Sequence, residues 1–263
     1  MKIGFIGAGN MASSLLGGML AAGMMQPCDA IISDKDNAKL KEWEEQGVRV
    51  TQENEQVVLE SDIVFFAVKP NILPYVLKEI DAPAEKIYIS IAAGVTLGFL
   101  EQQLGADKKI VRTMPNTPAL VGCGMTVVSP NGKLTEEEQD MILNLFQSVG
   151  DAMILPEKEL EIATALHGSS PAYAYIMMDA MADAGVRHGL TKANALKLAA
   201  KALEGSARMV LETGVHPEQL KDNVCSPGGT TIAAVNELER TGFRFSLQAA
   251  IDACIKKNQE MKQ

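Results

Sequence analysis

A chain of 263 residues is long enough for one large domain or two modest ones, each with a buried core. Hydrophobic residues make up 47% and charged residues 22%, values typical of globular proteins, so a disordered or fibrous chain is excluded. The formal net charge of -9, with no basic run, argues against nucleic acid as a partner.

The sequence carries no targeting, membrane or metal-binding pattern. The first residues lack a signal-peptide pattern, so we expect no signal peptide, and no apolar run is long enough to span a bilayer. The scattered cysteines are Cys28, Cys123, Cys225 and Cys254, and the histidines are His167, His188 and His216. Neither set has the spacing of a disulfide framework or a metal site. We therefore expect a cytoplasmic protein with reduced thiols, no metal and no membrane partner.

Strand-like and helix-like segments alternate in the first half of the chain. The strand-like segments are residues 2–6, 30–33, 62–68, 86–92 and 109–113, and the first helix-like segments are 10–22 and 37–46. The clearest buried strand is 62–68, a continuous apolar run that Lys69 and Pro70 end. Alternation of this kind predicts βαβ units and an α/β fold with a parallel, doubly wound sheet of the Rossmann type, covered on both faces.

The second half reads as helices alone. The helix-like segments are 157–167, 172–188, 192–213, 230–240 and 246–262, with breaks at 168–171 and 225–229. Thr191 is typical of an N-cap, and Gly189 closes the helix before it. We predict a dinucleotide-binding domain over residues 1–155 and an all-helical domain over 156–263 that binds substrate and forms the dimer.

Small residues lie on several faces of the predicted helices between positions 180 and 207. Helices this apolar all round are usually buried on more than one side. Because the helical domain is short, this favours burial against a partner subunit and a homodimer. A bundle that packs within one chain is the alternative.

The segment Gly7-Ala8-Gly9-Asn10-Met11-Ala12 lies between a strand and a helix, as a dinucleotide fingerprint does. Gly7 permits a tight turn, and Gly9 lets the backbone approach a pyrophosphate. Ala12 permits close packing of helix on strand. The pyrophosphate then rests on the amides of the helix N-terminus.

The end of the second predicted strand leaves the choice of cofactor open. Asp34 is placed to accept hydrogen bonds from ribose hydroxyls, which favours NADH. Ser33 and Lys35 are placed to hold a 2′-phosphate, which favours NADPH. Asp34 is alternatively a solvated turn residue.

Four further segments end predicted strands or open a helix at the expected ligand-binding edge. Small residues at 67–70 and 92–94 would let a cofactor lie against the backbone. Two prolines in 112–118 predict a rigid loop, which is either a cleft wall or a structural corner. In 221–231, the glycines and Thr230-Thr231 bring hydroxyls and free amides together, as a carboxylate site or as a simple capped helix start.

The chain resembles the pyrroline-5-carboxylate reductase family over nearly its whole length. The segments that carry the resemblance are 7–12, 67–70, 91–96, 114–118, 169–173 and above all 220–232, which reads Leu-Lys-Asp-Asn-Val-Cys-Ser-Pro-Gly-Gly-Thr-Thr-Ile. The resemblance implies hydride transfer from NADPH or NADH to 1-pyrroline-5-carboxylate, giving L-proline in the last step of proline biosynthesis. It also implies dimers through the helical domain, often assembled into decamers.

The resemblance further implies a set of site residues. The substrate carboxylate would be held by Ser226, Gly229, Thr230 and Thr231, with Asn223 beside it, Thr231 near the ring nitrogen and Glu157 at a loosely matched acidic position. The cofactor would be lined by Gly7, Ala8, Gly9, Asn10, Met11, Ser33, Asn54, Ala67, Lys69, Pro70, Ala92, Ala93 and Gly94. The chain departs from the family at His167, where serine is usual. This imidazole is either a packing replacement or a proton donor.

Reduction of a cyclic imine requires positioning of the reactants rather than a covalent nucleophile or a metal, which suits a chain with few acid–base motifs. A β-hydroxyacid dehydrogenase is the rival enzyme, but residues 161–172 lack the lysine that such enzymes use. A non-catalytic NAD(P)-binding protein would have no need of residues 226–231.

Overall fold

The computed structural model describes residues 1–260, which form two compact units. One unit comprises residues 1–168 with the stretch that begins at Ile255, and the other comprises Ser169–Cys254. The first unit holds a sheet with helices, and every regular element of the second is a helix. The first unit also includes the helix at Glu157–Ala163. The domain boundary expected after residue 155 stays a prediction.

The sheet of the first unit has eight strands. They are β1 (Ile3–Ile6), β2 (Ala30–Ser33), β3 (Arg49–Thr51), β4 (Ile63–Phe66), β5 (Ile87–Ser90), β6 (Lys109–Met114), β7 (Gly124–Pro130) and β8 (Gly150–Ile154). Their order is β3-β2-β1-β4-β5-β6-β7-β8, and β1 to β6 are parallel. The chain order reverses between β1 and β4, and ligands of such sheets bind beyond the carboxyl ends of the strands at that point.

The last two strands depart from the predicted all-parallel sheet. β7 is antiparallel to β6, with Met114 opposite Val127, and β8 is parallel to β7. Gly124 and Gly150 are paired where β7 and β8 begin, and a Cβ on Gly150 would collide with the Gly124 backbone. Glycine is therefore required at this pair, because the two strands lie too close there for a Cβ on Gly150.

Helices cover both faces of this sheet. They are α1 (Asn10–Ala21), α2 (Asn37–Glu45), α3 (Asn54–Glu60), α4 (Leu73–Lys78), α5 (Leu97–Leu104), α6 (Glu136–Gln147) and α7 (Glu157–Ala163), followed by a π-helical turn at Thr164–Gly168. Successive residues of β4 enter different cores: Phe65 stacks on Phe5 with ring centroids 4.6 Å apart, while Phe66 stacks on Tyr88 on the other side. The buried strand predicted at 62–68 is thus confirmed over Ile63–Phe66.

The helices of the rest of the chain are α8 (Ser170–Arg187), α9 (Lys192–Thr213), α10 (Pro217–Val224), α11 (Thr230–Arg240) and α12 (Phe243–Glu260). The predictions for 192–213 and 230–240 are confirmed, and Thr191 caps α9 by accepting from the amide of Asn194. The break predicted at 168–171 narrows to Ser169, because Pro171 fits the first turn of α8. The predicted last helix begins earlier, at Phe243, and its positions 261–262 lie outside the described residues.

The second unit has almost no core of its own. Within Ser169–Cys254, the buried side chains are Ala182, Ala195 and Ala199. Large apolar side chains are instead exposed, among them Ile176, Leu211 and Phe245, at 70%, 81% and 74%. A helical unit with this distribution needs another surface to cover it.

Candidate functional site

The glycine loop between β1 and α1 has the geometry of an anion site. Gly7 adopts a φ of +103°, and a Cβ there would lie 2.7 Å from the carbonyl oxygen of Ala67. Its amide donates to the carbonyl of Ser33 at 2.7 Å, which ties the loop to β2. Gly9 is the N-cap of α1, and no side chain caps the helix. The first-turn amides of α1, beginning at Asn10 and Met11, therefore face outward with the positive end of the helix dipole.

The alanines of the fingerprint pack the loop rather than line a ligand. Ala8 and Ala12 are buried at 5% and 1% exposure in the core on one face of the sheet. Ala92 is likewise buried, on the other face. Ala12 thus permits close packing of helix on strand, as predicted. Ala8 and Ala92 can serve a cofactor through their backbone groups alone.

Two neighbouring cavities lie at the carboxyl edge of the parallel strands. One, of about 360 Å³, is lined by residues that include Gly7, Gly9, Ser33, Asp34, Lys35, Lys39, Asn54, Ala67, Lys69 and Tyr75. The other, of about 310 Å³, is lined by Pro70, Asn71, Pro74, Ala93, Gly94, Val95, Phe99 and Glu260. Nine of the thirteen predicted cofactor residues line one or the other cavity, and the lining of neither includes Ala8, Asn10, Met11 or Ala92.

Polar contacts order the far corner of the larger cavity. The Ser33 hydroxyl donates to Asn54 Oδ1 at 2.8 Å, and Asn54 Nδ2 donates to Glu79 Oε2 at 3.1 Å. Asp34 Oδ2 accepts from the amide of Ala8 at 2.9 Å. Burial raises the pKa of Asp34, but hydrogen bonds from Ala8, Asp36 and Lys39 outweigh it and leave that pKa lowered. Asp34 is therefore a charged anchor of the glycine loop, not a solvated turn residue.

The proline-bracketed loop after β6 is a structural corner. Asn116 is buried, accepts from the amide of Met125 at 2.8 Å and donates to the carbonyl of His167 at 3.0 Å. The imidazole of His167 is half-buried, with Nδ1 2.5 Å from the carbonyl oxygen of Ala163 and Nε2 2.8 Å from that of Met114. His167 therefore joins the π-helical turn to the end of β6, a packing role.

Glu157 is held by groups of its own unit. Its Oε1 accepts from the first amide of α5, on Leu97, at 2.7 Å and from Arg112 Nη1 at 2.8 Å. The Arg112 side chain is 3% exposed, and its Nε lacks a partner among the described residues. Glu157 is thus the counter-ion of a buried arginine as well as an N-terminal ligand of α5. Its expected place beside the substrate stays a prediction.

Replacing Glu157 by Gln should reduce the free energy of unfolding by about 2 kcal/mol, because the charge of buried Arg112 loses its partner. Thermal or urea unfolding would measure the change. Glu159→Gln, in the same first helical turn, is the matched control and should change little. Wild-type stability in Glu157→Gln, combined with weaker substrate binding, would instead place Glu157 on the substrate.

The loop between α10 and α11 brings four of the predicted substrate residues together. Gly228 has a φ of +68°, the amide of Gly229 donates to the carbonyl of Ser226 at 3.0 Å, and α11 begins at Thr230. No side chain caps α11, so its first amides stay open. Within residues 1–260 the hydroxyls of Ser226, Thr230 and Thr231 donate to no protein acceptor. Thr231 is half-buried and Thr230 exposed.

Asn223 lies one turn before this loop, near the end of α10. Its Oδ1 accepts from Gln219 Nε2 at 2.9 Å. At the start of the same helix, Glu218 pairs with Lys221 at 2.7 Å and with Arg244 at 2.7 Å, which lowers the pKa of Glu218 to about 2. These contacts fix α10 against the beginning of α12. Asn223 is therefore positioned near the loop but engaged within its own helix.

Several cavity residues were not predicted from the sequence. Lys39 on α2 and Tyr75 on α4 both line the larger cavity. Tyr75 is 67% exposed. The signal that the sequence offered was an aromatic residue soon after the Lys69-Pro70 motif. Lys39 carried no such signal, because charged residues surround it on α2.

The described residues show neither a metal-binding cluster nor a membrane-spanning helix. No group of three or more His, Cys, Asp and Glu side chains is arranged to hold a metal ion in that part of the chain. Nor does any described helix have the length and apolar character to cross a membrane.

Comparison with known proteins gives a consistent family. A family model described as pyrroline-5-carboxylate reductase dimerisation matches residues 157–261, and one described as NADP oxidoreductase coenzyme F420-dependent matches residues 2–94. Pyrroline-5-carboxylate reductase of Escherichia coli strain K12 is 46% identical over 263 residues, covering 99% of this chain and 98% of that protein.

Solved structures agree with this result. A pyrroline-5-carboxylate reductase from Coxiella burnetii matches with a TM-score of 0.93 and 36% identity, covering 100% of this chain and 98% of that one. The Plasmodium falciparum enzyme, solved with NADP bound, matches with a TM-score of 0.89 and 33% identity over the same shares. The chain therefore belongs to the pyrroline-5-carboxylate reductase family.

Proposed function

We propose that this protein reduces 1-pyrroline-5-carboxylate to L-proline by hydride transfer from NADPH or NADH, the last step of proline biosynthesis. The observation that carries the proposal is the start of α11, where open amides meet three hydroxyls that have no protein acceptor among residues 1–260, in a glycine-rich loop. A small carboxylic acid is the ligand that this arrangement suits.

The residues of the first unit fit a dinucleotide. A Cβ on Gly9 would meet no atom within 4 Å, so space lies open directly before the amides of α1. Gly7, Gly9, Asn10 and Met11 would hold the pyrophosphate there through backbone amides. The bound cofactor supplies the hydride. The remaining predicted residues, Ser33, Asn54, Ala67, Lys69, Pro70, Ala93 and Gly94, together with the backbone of Ala8 and Ala92, would line its length.

The loop of the second unit would hold the substrate by its carboxylate. Backbone amides at Thr230 and Thr231 and the hydroxyls of Ser226 and Thr230 would donate to the two oxygens, aided by the dipole of α11. Gly229 would allow the carboxylate to approach the backbone. Holding the acid at two oxygens fixes the plane of the imine ring, which is catalysis by orientation.

Thr231 would act at the ring nitrogen. Its hydroxyl is half-buried and has no protein acceptor among the described residues, so it can hydrogen-bond a ligand. Donation to the imine nitrogen favours hydride addition at the adjacent carbon, since negative charge does not build up on nitrogen. Asn223 and Glu157 would lie near the substrate without touching the reacting atoms.

We also propose a homodimer through the helical domain, with further assembly into decamers. The proposal is supported by the small number of buried side chains in the second unit and by an apolar cavity of about 520 Å³ along α8. The cavity is lined by Tyr173, Ile176, Met177, Ala180, Met181, Ala184, Leu238, Phe243, Ser246, Leu247 and Ala250. A second copy would cover this surface. Light scattering after gel filtration would separate a monomer, which contradicts the proposal, from a dimer or a decamer. A cytoplasmic location is proposed from the four widely spaced cysteines, which form no disulfide among residues 1–260.

The function is tested by following the loss of NADPH and NADH absorbance at 340 nm with pyrroline-5-carboxylate as the substrate. Rapid substrate-dependent oxidation, with proline as the product, is the expected result. A folded protein that binds NADPH yet oxidises neither cofactor would refute the proposed reaction and move the assignment to another imine or hydroxy acid.

A further inference from the structure

The corner of the larger cavity beyond β2 contains an acid whose acceptor positions are already used. Asp34 Oδ1 accepts from the amide of Asp36 at 2.9 Å, and Oδ2 accepts from the amide of Ala8 at 2.9 Å. Lys39 Nζ lies 3.2 Å from Oδ2 and 3.5 Å from Oδ1. A carboxylate offers about four lone-pair positions. Asp34 therefore has little capacity left for the two ribose hydroxyls that an NAD-selecting acid binds.

Positive charge in the same corner is available to an anion. Lys35, Lys39 and Lys69 line the cavity, against the carboxylates of Asp34 and Glu79. The Lys39 side chain is 48% exposed, whereas that of Asp34 is 16% exposed. The half-exposed ammonium of Lys39 has three N–H donors, so it can keep its pair with Asp34 and also donate to a second anion. Lys35 is less free, because its ammonium already donates to the carbonyl of Gln52 at 3.0 Å.

A hydroxyl and a side-chain amide line the same cavity as these lysines. Ser33 ends β2, and its hydroxyl is hydrogen-bonded to Asn54, which also lines the cavity. Within a dinucleotide, the group that reaches the end of β2 is the adenosine ribose. A phosphate on its 2′ oxygen would carry two negative charges into a corner with three lysines.

We infer that Lys39 is a specificity-determining residue that pairs with the 2′-phosphate and so favours NADP(H) over NAD(H), while Asp34 positions the glycine loop instead of reading the ribose. The inference rests on the proposed dinucleotide site. It assigns to Lys39 on α2 the selection of the cofactor. The sequence alone had left this role open between Asp34 and the pair Ser33 and Lys35.

Binding of cofactor fragments tests the inference without turnover. Calorimetry of the intact protein would compare adenosine 2′,5′-bisphosphate with ADP, which lacks the 2′-phosphate. In Lys39→Gln, the Kd for the bisphosphate should rise roughly tenfold, while the Kd for ADP changes less than about twofold. Lys41→Gln is the matched control, because Lys41 lies on the same helix, is exposed and pairs with Glu45. Lys39→Arg should keep most of the bisphosphate affinity.

Asp34→Ala separates the two roles further. If Asp34 anchors the loop through the amide of Ala8, its loss should weaken both fragments alike. Equal losses for both fragments in Lys39→Gln, or a wild-type protein that binds them equally, would overturn the inference. So would Asp34→Ala if it improved ADP binding alone. Failure of the proposed reaction would look different, since the fragments would still bind selectively to a chain that does not turn over.

Discussion

Thr231→Ala should lower kcat for pyrroline-5-carboxylate reduction by roughly a hundredfold and leave the Kd of NADPH unchanged. The hydroxyl of Thr231 is the half-buried donor at the second position of α11, and it has no protein acceptor among residues 1–260. Removal of a donor that meets the reacting nitrogen affects the transition state, where charge on nitrogen changes. It does not affect cofactor binding, which depends on residues of the first unit.

Two variants make this result specific. Thr231→Ser keeps the hydroxyl and loses a methyl group, so it should retain most of the activity. Thr241→Ala removes a hydroxyl from the other end of α11, where it bonds the carbonyl of Glu237 at 2.9 Å, and should be close to wild type. If Thr231→Ser is as inactive as Thr231→Ala, the methyl group and its packing are what matter, and the hydroxyl role is wrong. A parallel loss of NADPH affinity would have the same consequence.

Local sequence signals were sufficient for the central elements of the fold. β4 was readable because four apolar residues run together and Lys69-Pro70 stops the pattern. α9 could be predicted because Thr191 is a typical N-cap and Gly189 closes the helix before it. The same holds for the loop between β1 and α1, whose function depends on neighbouring residues and on glycine geometry.

β3, β8 and α10 are among the elements that were not predicted, and each has a weak local pattern. β3 has three residues, the first of them exposed, and β8 is a largely exposed edge strand that starts at a glycine. Neither has the alternation of apolar and polar residues that marks a strand. Pairing with β2 stabilises β3, and pairing with β7 stabilises β8. α10 begins at Pro217 and has no buried residue, so its apolar pattern was weak.

The candidate site shows the same limit. The hydrogen bond between Asp34 and the amide of Ala8 joins positions 26 residues apart, and the pair of Arg112 with Glu157 joins positions 45 apart. Its place after the second strand made Asp34 a candidate ribose ligand, and the family resemblance made Glu157 a candidate near the substrate. The fold instead gives both of them protein partners, which sequence reasoning had no means to foresee.

Gly9→Ala is the second substitution for which we expect a large effect. It distinguishes a pyrophosphate site from a simple turn. Gly9 has a φ of -81°, which any residue adopts, and a Cβ there meets no protein atom within 4 Å. The melting temperature should therefore change little, whereas the Kd of NADPH should rise at least tenfold, because the methyl group would occupy the space where the pyrophosphate meets the backbone.

Gly17→Ala on the same helix is the control: its Cβ would lie 3.7 Å from Trp43, an ordinary contact, so NADPH affinity should stay at the wild-type value and stability should not fall. Gly7→Ala, in contrast, should lose both stability and binding, since its φ is positive and its Cβ would press on the backbone of Ala67. Wild-type NADPH affinity in Gly9→Ala would mean that the loop only turns the chain, and the cofactor site would have to be sought elsewhere along the sheet edge.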